Sequence, residues 1–214
     1  MNIYEHIDYT LLKPTATYND IWQLCEKAIE KGCASVCIPP HFVKFVHNHF
    51  PTLTICTVVG FPLGNSTLDA KVEEVEDAIE NGVDEIDMVI NIGEVKSHNY
   101  GYIKDEIDEI SASLNWKCFL KHRSFILKVI IETCYLTEEE IATVTRIIDN
   151  SSADFVKTST GFGTRGASFE DILIIKENIK GTTQIKASGG IRTKEDMMKY
   201  IALGCERIGA SQLP

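Results

Sequence analysis

TYNDIWQLCEKAIEKGCASVCI, residues 17–38, holds one complete helix-to-strand unit. Thr17 is a good helix cap, and Asp20 sits where the positive end of a helix dipole favours a carboxylate. Ile21, Leu24, Cys25, Ala28 and Ile29 fall at i, i+3, i+4, i+7 and i+8, which is one helical face. Gly32 supplies the stop, and residues 35–38 then read as a short strand.

The same grammar returns along the chain. Val72, Val75, Ala78 and Ile79 precede Gly82, and Ile103, Ile107, Ile110 and Leu114 form another stripe. Thr137 with Glu140 reads as a capping box before Ile141, Val144, Ile147 and Ile148. Ser168 opens a helix that stops at Gly181, Thr193 opens one that stops at Gly204, and a short helix covers 41–49. Between them lie strand-like runs at 7–10, 35–38, 54–59, 85–91, 127–133, 154–158, 184–188 and 207–210. Eight strands alternating with helices predict a closed parallel barrel, the TIM (β/α)8 architecture, as a single α/β domain over residues 1–214. A doubly wound open sheet competes, but the Gly-x-Gly-x-x-Gly turn it would carry after the first strand does not occur. Only Ser211-Gln212-Leu213-Pro214 follows the last run, so the helix after the eighth strand is expected to be absent.

Composition narrows the function classes. A hydrophobic fraction of 44% with 24% charged residues fits a soluble globular chain. No apolar run approaches the roughly 20 residues that span a bilayer, and the start lacks a basic region followed by an apolar stretch. No membrane partner and a cytoplasmic location are therefore expected. A net charge of −10 argues against a nucleic-acid partner. The basic cluster Lys117, Lys121, His122, Arg123 and Lys128 reads as a solvated loop. Seven scattered cysteines without a Cys-x-x-Cys argue against a disulfide framework or a zinc knuckle. The six histidines mostly fall on predicted helices and loops, so no metal site and no cofactor are expected.

Strand alternation separates the residues facing the helices from those facing the barrel interior. In 85–91 the apolar set is Ile86, Met88 and Ile90, which puts Glu85, Asp87, Val89 and Asn91 on the other face. In 127–133 the same parity sends Lys128, Ile130 and Glu132 inward, and Lys157 and Lys186 follow on the next two strands. Three lysines and at least two carboxylates thus share one interior, where an unpaired charge is costly. Structural pairing of Lys128 with Glu132 or Asp87 is one reading. Asp87, Lys157 and Lys186 lie near the C-terminal ends of their strands, where the active sites of such barrels form, and this favours a catalytic one. Neighbouring ammonium groups and burial both disfavour charge on a lysine, and a neutral amine is what attacks a carbonyl. The second lysine, kept protonated, can donate protons, and Asp87 can relay them.

A phosphate site is also legible. Ser188-Gly189-Gly190-Ile191-Arg192 follows the seventh strand, Ile208-Gly209-Ala210-Ser211 closes the eighth, and Ser159-Thr160-Gly161 can add donors. Glycines let backbone N–H groups approach an anion, and the loops after strands seven and eight are the usual place in a barrel. These residues describe a Schiff-base enzyme acting on a small phosphorylated carbonyl compound.

The ordered motifs resemble the deoxyribose-phosphate aldolase family nearly end to end. They are Ile7-Asp8-Tyr9-Thr10-Leu11-Leu12-Lys13-Pro14, Val59-Gly60-Phe61-Pro62-Leu63-Gly64, the segments around Asp87 and Lys128, Val156-Lys157-Thr158-Ser159-Thr160-Gly161-Phe162, and Lys186-Ala187-Ser188-Gly189-Gly190-Ile191-Arg192. The resemblance implies metal-free, reversible cleavage of 2-deoxy-D-ribose 5-phosphate to D-glyceraldehyde 3-phosphate and acetaldehyde, in deoxyribonucleotide catabolism. It implies an imine on Lys157 and proton transfer by Asp87 and Lys186, with Lys186 depressing the pKa of Lys157. Asp8 and Lys128 would line the site, and Cys37 would lie near the pocket. Thr160, Gly161, Gly189, Gly190, Gly209 and Ser211 would hold the substrate and its phosphate, and the enzyme would be a dimer or tetramer. The alternatives are another Schiff-base aldolase acting on a phosphorylated sugar and a non-catalytic phosphate-binding barrel. The first is disfavoured by the paired lysines, the second by the presence of both Lys157 and Asp87. The stretch 115–125 departs from the family's short loop and has no evident role.

Overall fold

The computed structural model describes residues 2–214; Met1 lies outside the described residues. Eight strands form a closed, all-parallel barrel in sequence order, β8 pairing back onto β1. The strands are β1 (Ile7–Thr10), β2 (Ser35–Ile38), β3 (Ile55–Val59), β4 (Glu85–Val89), β5 (Ile126–Ile130), β6 (Phe155–Lys157), β7 (Gln184–Ser188) and β8 (Arg207–Ala210). The helices are α1 (Tyr18–Lys31), α2 (Val43–His49), α3 (Leu68–Glu80), α4 (Ile92–Lys96), α5 (Tyr100–Lys121), α6 (Glu138–Asp149), α7 (Phe169–Asn178) and α8 (Lys194–Leu203). No helix follows β8 among the described residues, as the chain pattern implied. Among the described residues no helix is long and apolar enough to cross a membrane.

Local chemistry sets the helix ends. Thr17, Thr137 and Ser168 each close a capping box, and Gly32 and Gly204 end α1 and α8 in the left-handed conformation. Strand parity decides the layers. Ile86 and Met88 from β4, Leu127 and Val129 from β5, Val156 from β6 and Ile185 and Ala187 from β7 point outward into one apolar core. The helices meet them with Leu24, Val75, Ile110, Val144 and Ile172. The opposite face of the same strands carries the charged residues, which share the interior of the barrel with Cys37, Cys56, Val58, Val89, Ile130 and Phe155.

Several expectations are corrected. Ile29 lies on the α1 stripe by spacing but is 48% exposed, because the buried arc is only wide enough for Ile21, Leu24, Cys25 and Ala28. α7 ends at Asn178, three residues short of Gly181. β5 ends at Ile130, and Glu132 beyond it takes a left-handed backbone with φ +51. The basic cluster is not a solvated loop: residues 115–121 are the last turns of α5. Lys117 and Lys121 from those turns reach Glu80 on α3, Arg123 pairs with Asp84, and Lys128 is inside the barrel.

The contrast between Ile29 and the true core is measurable. Ile86→Ala should lose roughly 2–5 kcal/mol of stability in chemical denaturation. Ile29→Ala should stay within about 0.5 kcal/mol of the parent; equal losses would refute this assignment of the core face.

Candidate active site

The interior charges form one continuous cluster. Asp87 lies at its centre: Oδ2 accepts from Lys157 Nζ at 2.6 Å and from Lys186 Nζ at 2.7 Å, and Oδ1 accepts from Lys128 Nζ at 3.0 Å. Lys128 also donates to Glu85 at 2.6 Å, and Lys186 pairs with Asp8 at 2.5 Å. Arg207 closes the lower end by donating to Asp8 at 2.6 Å and to Glu85 at 3.1 Å. Strand register makes this possible, since Asp87 stands opposite Lys128, Lys157 opposite Lys186, and Lys186 opposite Arg207.

Four cations therefore meet three carboxylates away from bulk water. Burial alone would push each carboxyl up and each ammonium down. Burial does push Asp87 up, but Lys128, Lys157 and Lys186 together hold it well below its ordinary value. For Asp8 burial is likewise outweighed, first by Lys186 and then by Lys128 and Arg207. Lys186 is pushed down by burial and held up by Asp8 and Asp87, the net direction being up, so it stays a protonated donor. Lys128 is held high in the same way, chiefly by Asp87 against its burial. Lys128, Lys186 and Arg207 balance Asp8, Glu85 and Asp87 three to three. Lys157 is the fourth cation.

Above the cluster, at the C-terminal ends of the strands, lies a cavity of about 260 Å³. Lys157 is the member of the cluster that lines it. The structure brings Thr160, Gly161, Gly189, Gly190, Gly209 and Ser211 onto its wall. Asp87, Lys186, Asp8, Lys128 and Cys37 lie beneath its floor. Gly161, Gly189 and Gly190 all take left-handed backbones, with φ +88, +85 and +76. A Cβ on Gly189 would also stand 2.8 Å from the Gly166 Cα. Among the described residues the amides of these three glycines donate to no protein acceptor, which leaves them free for an anion. Ser188 Oγ donates to the Ser159 carbonyl at 2.5 Å, tying the β6 and β7 loops together.

Sequence reasoning missed part of the wall. Thr10, Leu11, Leu12 and Lys13 enter it from the end of β1, and Phe162 and Arg192 from the β6 and β7 loops. Lys13, Phe162 and Arg192 stood inside quoted motifs, yet no spacing says which loop side chains turn toward a cavity. Glu132 does not pair with Lys128. Its carboxylate accepts from the Thr160 amide at 3.2 Å and from the Thr160 hydroxyl, which fixes the loop that follows Lys157.

Cys37, Cys56 and Asp87 bring three potential ligand atoms within 4.8 Å of one another. Asp87 already receives three ammonium groups, and Lys128 Nζ is 3.4 Å from Cys56 Sγ, so a cation placed there would face three lysines. The hydrogen bond with Cys56 pulls the Cys37 thiol below its ordinary value, whereas burial pushes Cys56 well above it.

A family model described as DeoC/LacD family aldolase matches residues 5–211. The chain belongs to this aldolase family. A deoxyribose-phosphate aldolase of Treponema denticola is 47% identical over 213 residues, which cover 99% of this chain and 96% of that protein. The solved structure of QR15, an aldolase, superposes with a TM-score of 0.92 at 37% identity, covering 99% of this chain and 92% of that one. The deoxyribose phosphate aldolase of Aeropyrum pernix, described as a unique tetrameric structure, gives a TM-score of 0.87 at 28% identity, with 98% and 86% covered. Membership of the DeoC/LacD aldolases makes the chain a carbon–carbon lyase and bears out both the resemblance and the barrel read from its motifs.

The shared counter-charge gives a pH-dependent prediction. Asp87→Asn removes the charge that three ammonium groups face and should lose several kcal/mol near neutral pH, about 3–5 for a broken buried pair. The folded pKa of Asp87 lies below the ordinary 3.8, so its stabilisation is present above that value and fades as the pH falls through the folded one. The stability gap between parent and variant should therefore narrow in acid below about pH 4. A gap that widens there would contradict the cluster.

Proposed function

We propose that this DeoC/LacD family member cleaves 2-deoxy-D-ribose 5-phosphate reversibly to D-glyceraldehyde 3-phosphate and acetaldehyde through an imine on Lys157. The observation that carries the reading is the position of Lys157: its Nζ is bonded to Asp87 below and borders the cavity above. The near full-length similarity to deoxyribose-phosphate aldolases supports the substrate.

In the proposed sequence Lys157 passes a proton to Asp87 through their 2.6 Å bond, its neutral amine attacks C1 of the open-chain aldehyde, and Asp87 returns the proton to the departing hydroxyl. The carbinolamine loses water to give an iminium. Asp87, acting through a water with Lys186 as its protonated neighbour, takes the proton of the C3 hydroxyl. The C2–C3 bond then breaks, its electron pair passes into the iminium as an enamine, and C3, having lost its hydroxyl proton, becomes the aldehyde of glyceraldehyde 3-phosphate.

 Acetaldehyde thus takes C1 and C2, and glyceraldehyde 3-phosphate takes C3 to C5. Protonation of the enamine at C2 and hydrolysis release acetaldehyde and return the amine. Gly161, Gly189, Gly190, Gly209 and Ser211 hold the phosphate, with Thr160 fixing the loop beside it. Asp8 and Lys128 act from below by holding Lys186 and Asp87, and Cys37 borders Asp87. No cofactor enters this sequence. We also propose that the enzyme works in the cytoplasm as a dimer or tetramer, which light scattering on the purified protein tests.

Incubation with deoxyribose 5-phosphate and borohydride should leave a reduced adduct on Lys157 alone, mapped by mass spectrometry, with or without a chelator. Lys157→Leu should abolish both adduct and turnover while the circular dichroism spectrum is kept. An adduct on another lysine, or an active Lys157→Leu protein, would sink the proposal.

A further inference from the structure

Lys71 and Glu106 are buried completely and lie outside the cluster around Asp87. Lys71 Nζ donates to Glu106 Oε1 at 2.6 Å, to the Gly64 carbonyl at 2.7 Å and to the Val89 carbonyl at 2.7 Å. Glu106 Oε2 accepts from the Asn91 amide at 3.0 Å. One ion pair thus joins α3, α5, the loop at 60–64 and the end of β4.

The loop is shaped around this side chain. Gly60 has φ +61, and a Cβ there would stand 2.7 Å from Lys71 Cε. A Cβ on Gly64 would stand 1.9 Å from the Ile90 carbonyl oxygen, so the loop lies directly on the end of β4. Two residues before Val89, Asp87 turns inward to Lys157. On the loop itself, Phe61 packs edge-on against Phe162 at 5.4 Å, and Phe162 lines the cavity.

Stability alone does not account for the pair. Burial pushes Lys71 down and Glu106 up, each against the pull of its partner. Apolar side chains of similar volume in place of a buried ion pair are often no less stable. What they cannot supply is three directed hydrogen bonds to three separate segments.

We infer that Lys71 and Glu106 are a positioning pair for the reaction, setting the height of Asp87 and the place of the Phe61–Phe162 wall relative to Lys157. The inference rests on the aldolase reading of the site. The pair touches no reacting atom. It acts through the end of β4 and through the loop.

The test compares the parent with the double variant Lys71→Met/Glu106→Leu, which removes both charges together. The double variant should fold with a thermal midpoint near that of the parent, and borohydride should still trap the imine on Lys157. Its kcat for deoxyribose 5-phosphate should fall about tenfold or more, as expected when a proton-transfer group is misplaced. A folded variant with parental kcat and KM would overturn the inference, and so would loss of the imine together with turnover. If the double variant does not fold, Glu106→Gln carries the test: kcat should fall at least about threefold at an unchanged circular dichroism spectrum, and parental kcat overturns the inference. A parent protein without turnover would instead remove the aldolase reading itself.

Discussion

The bonds from Lys157, Lys186 and Lys128 to the single carboxylate of Asp87 are the constraint on which the interior of this barrel depends. An eight-stranded barrel normally fills its centre with branched apolar side chains. Here much of that volume is given to charge, and a buried charge is tolerable only when paired and hydrogen-bonded. Asp8 and Glu85, with Arg207 between them, extend the pairing downward until the network is closed. The outward faces of the same strands supply the apolar core with the helices, so the fold does not need its centre for hydrophobic burial.

The closed network also gives each lysine a different role. Lys128 and Lys186 are bonded to carboxylates on more than one strand and never meet the cavity. Lys157 has one carboxylate contact and an open side. A nucleophile needs both: a group that can take or return a proton and a free approach for the carbonyl carbon. The glycine-rich loops above it present unbonded amides on the wall of the same cavity. The site is thus polar above and below, with Lys157 at the junction.

Much of this was legible because strands alternate strictly. Once Ile86 and Met88 face the helices, Asp87 must face inward, and the same parity places Lys128, Lys157 and Lys186. Parity has no hold beyond the strand ends. Alternation sends Glu132 inward, but β5 stops at Ile130 and the left-handed backbone of Glu132 turns its carboxylate to Thr160. Residues 115–121 continue α5 because Lys117 and Lys121 find glutamates on α3, a long-range pairing that no local pattern announces. Lys71 and Glu106 were hidden for a related reason. Each lies beside an apolar stripe, and a charged residue there reads as solvent-facing until its partner on another helix is known.

The central claim is that Lys157, held from below by Asp87, is the atom that bonds to substrate while the glycine loops take the phosphate. The most direct measurement is a crystal structure of the borohydride-reduced complex with deoxyribose 5-phosphate. The account predicts continuous density from Lys157 Nζ to C1, the phosphate on the Gly161, Gly189 and Gly190 amides, and Asp87 within one water of the C3 oxygen. Density joining substrate to Lys186 or Lys128, or a phosphate bound away from these loops, would contradict it.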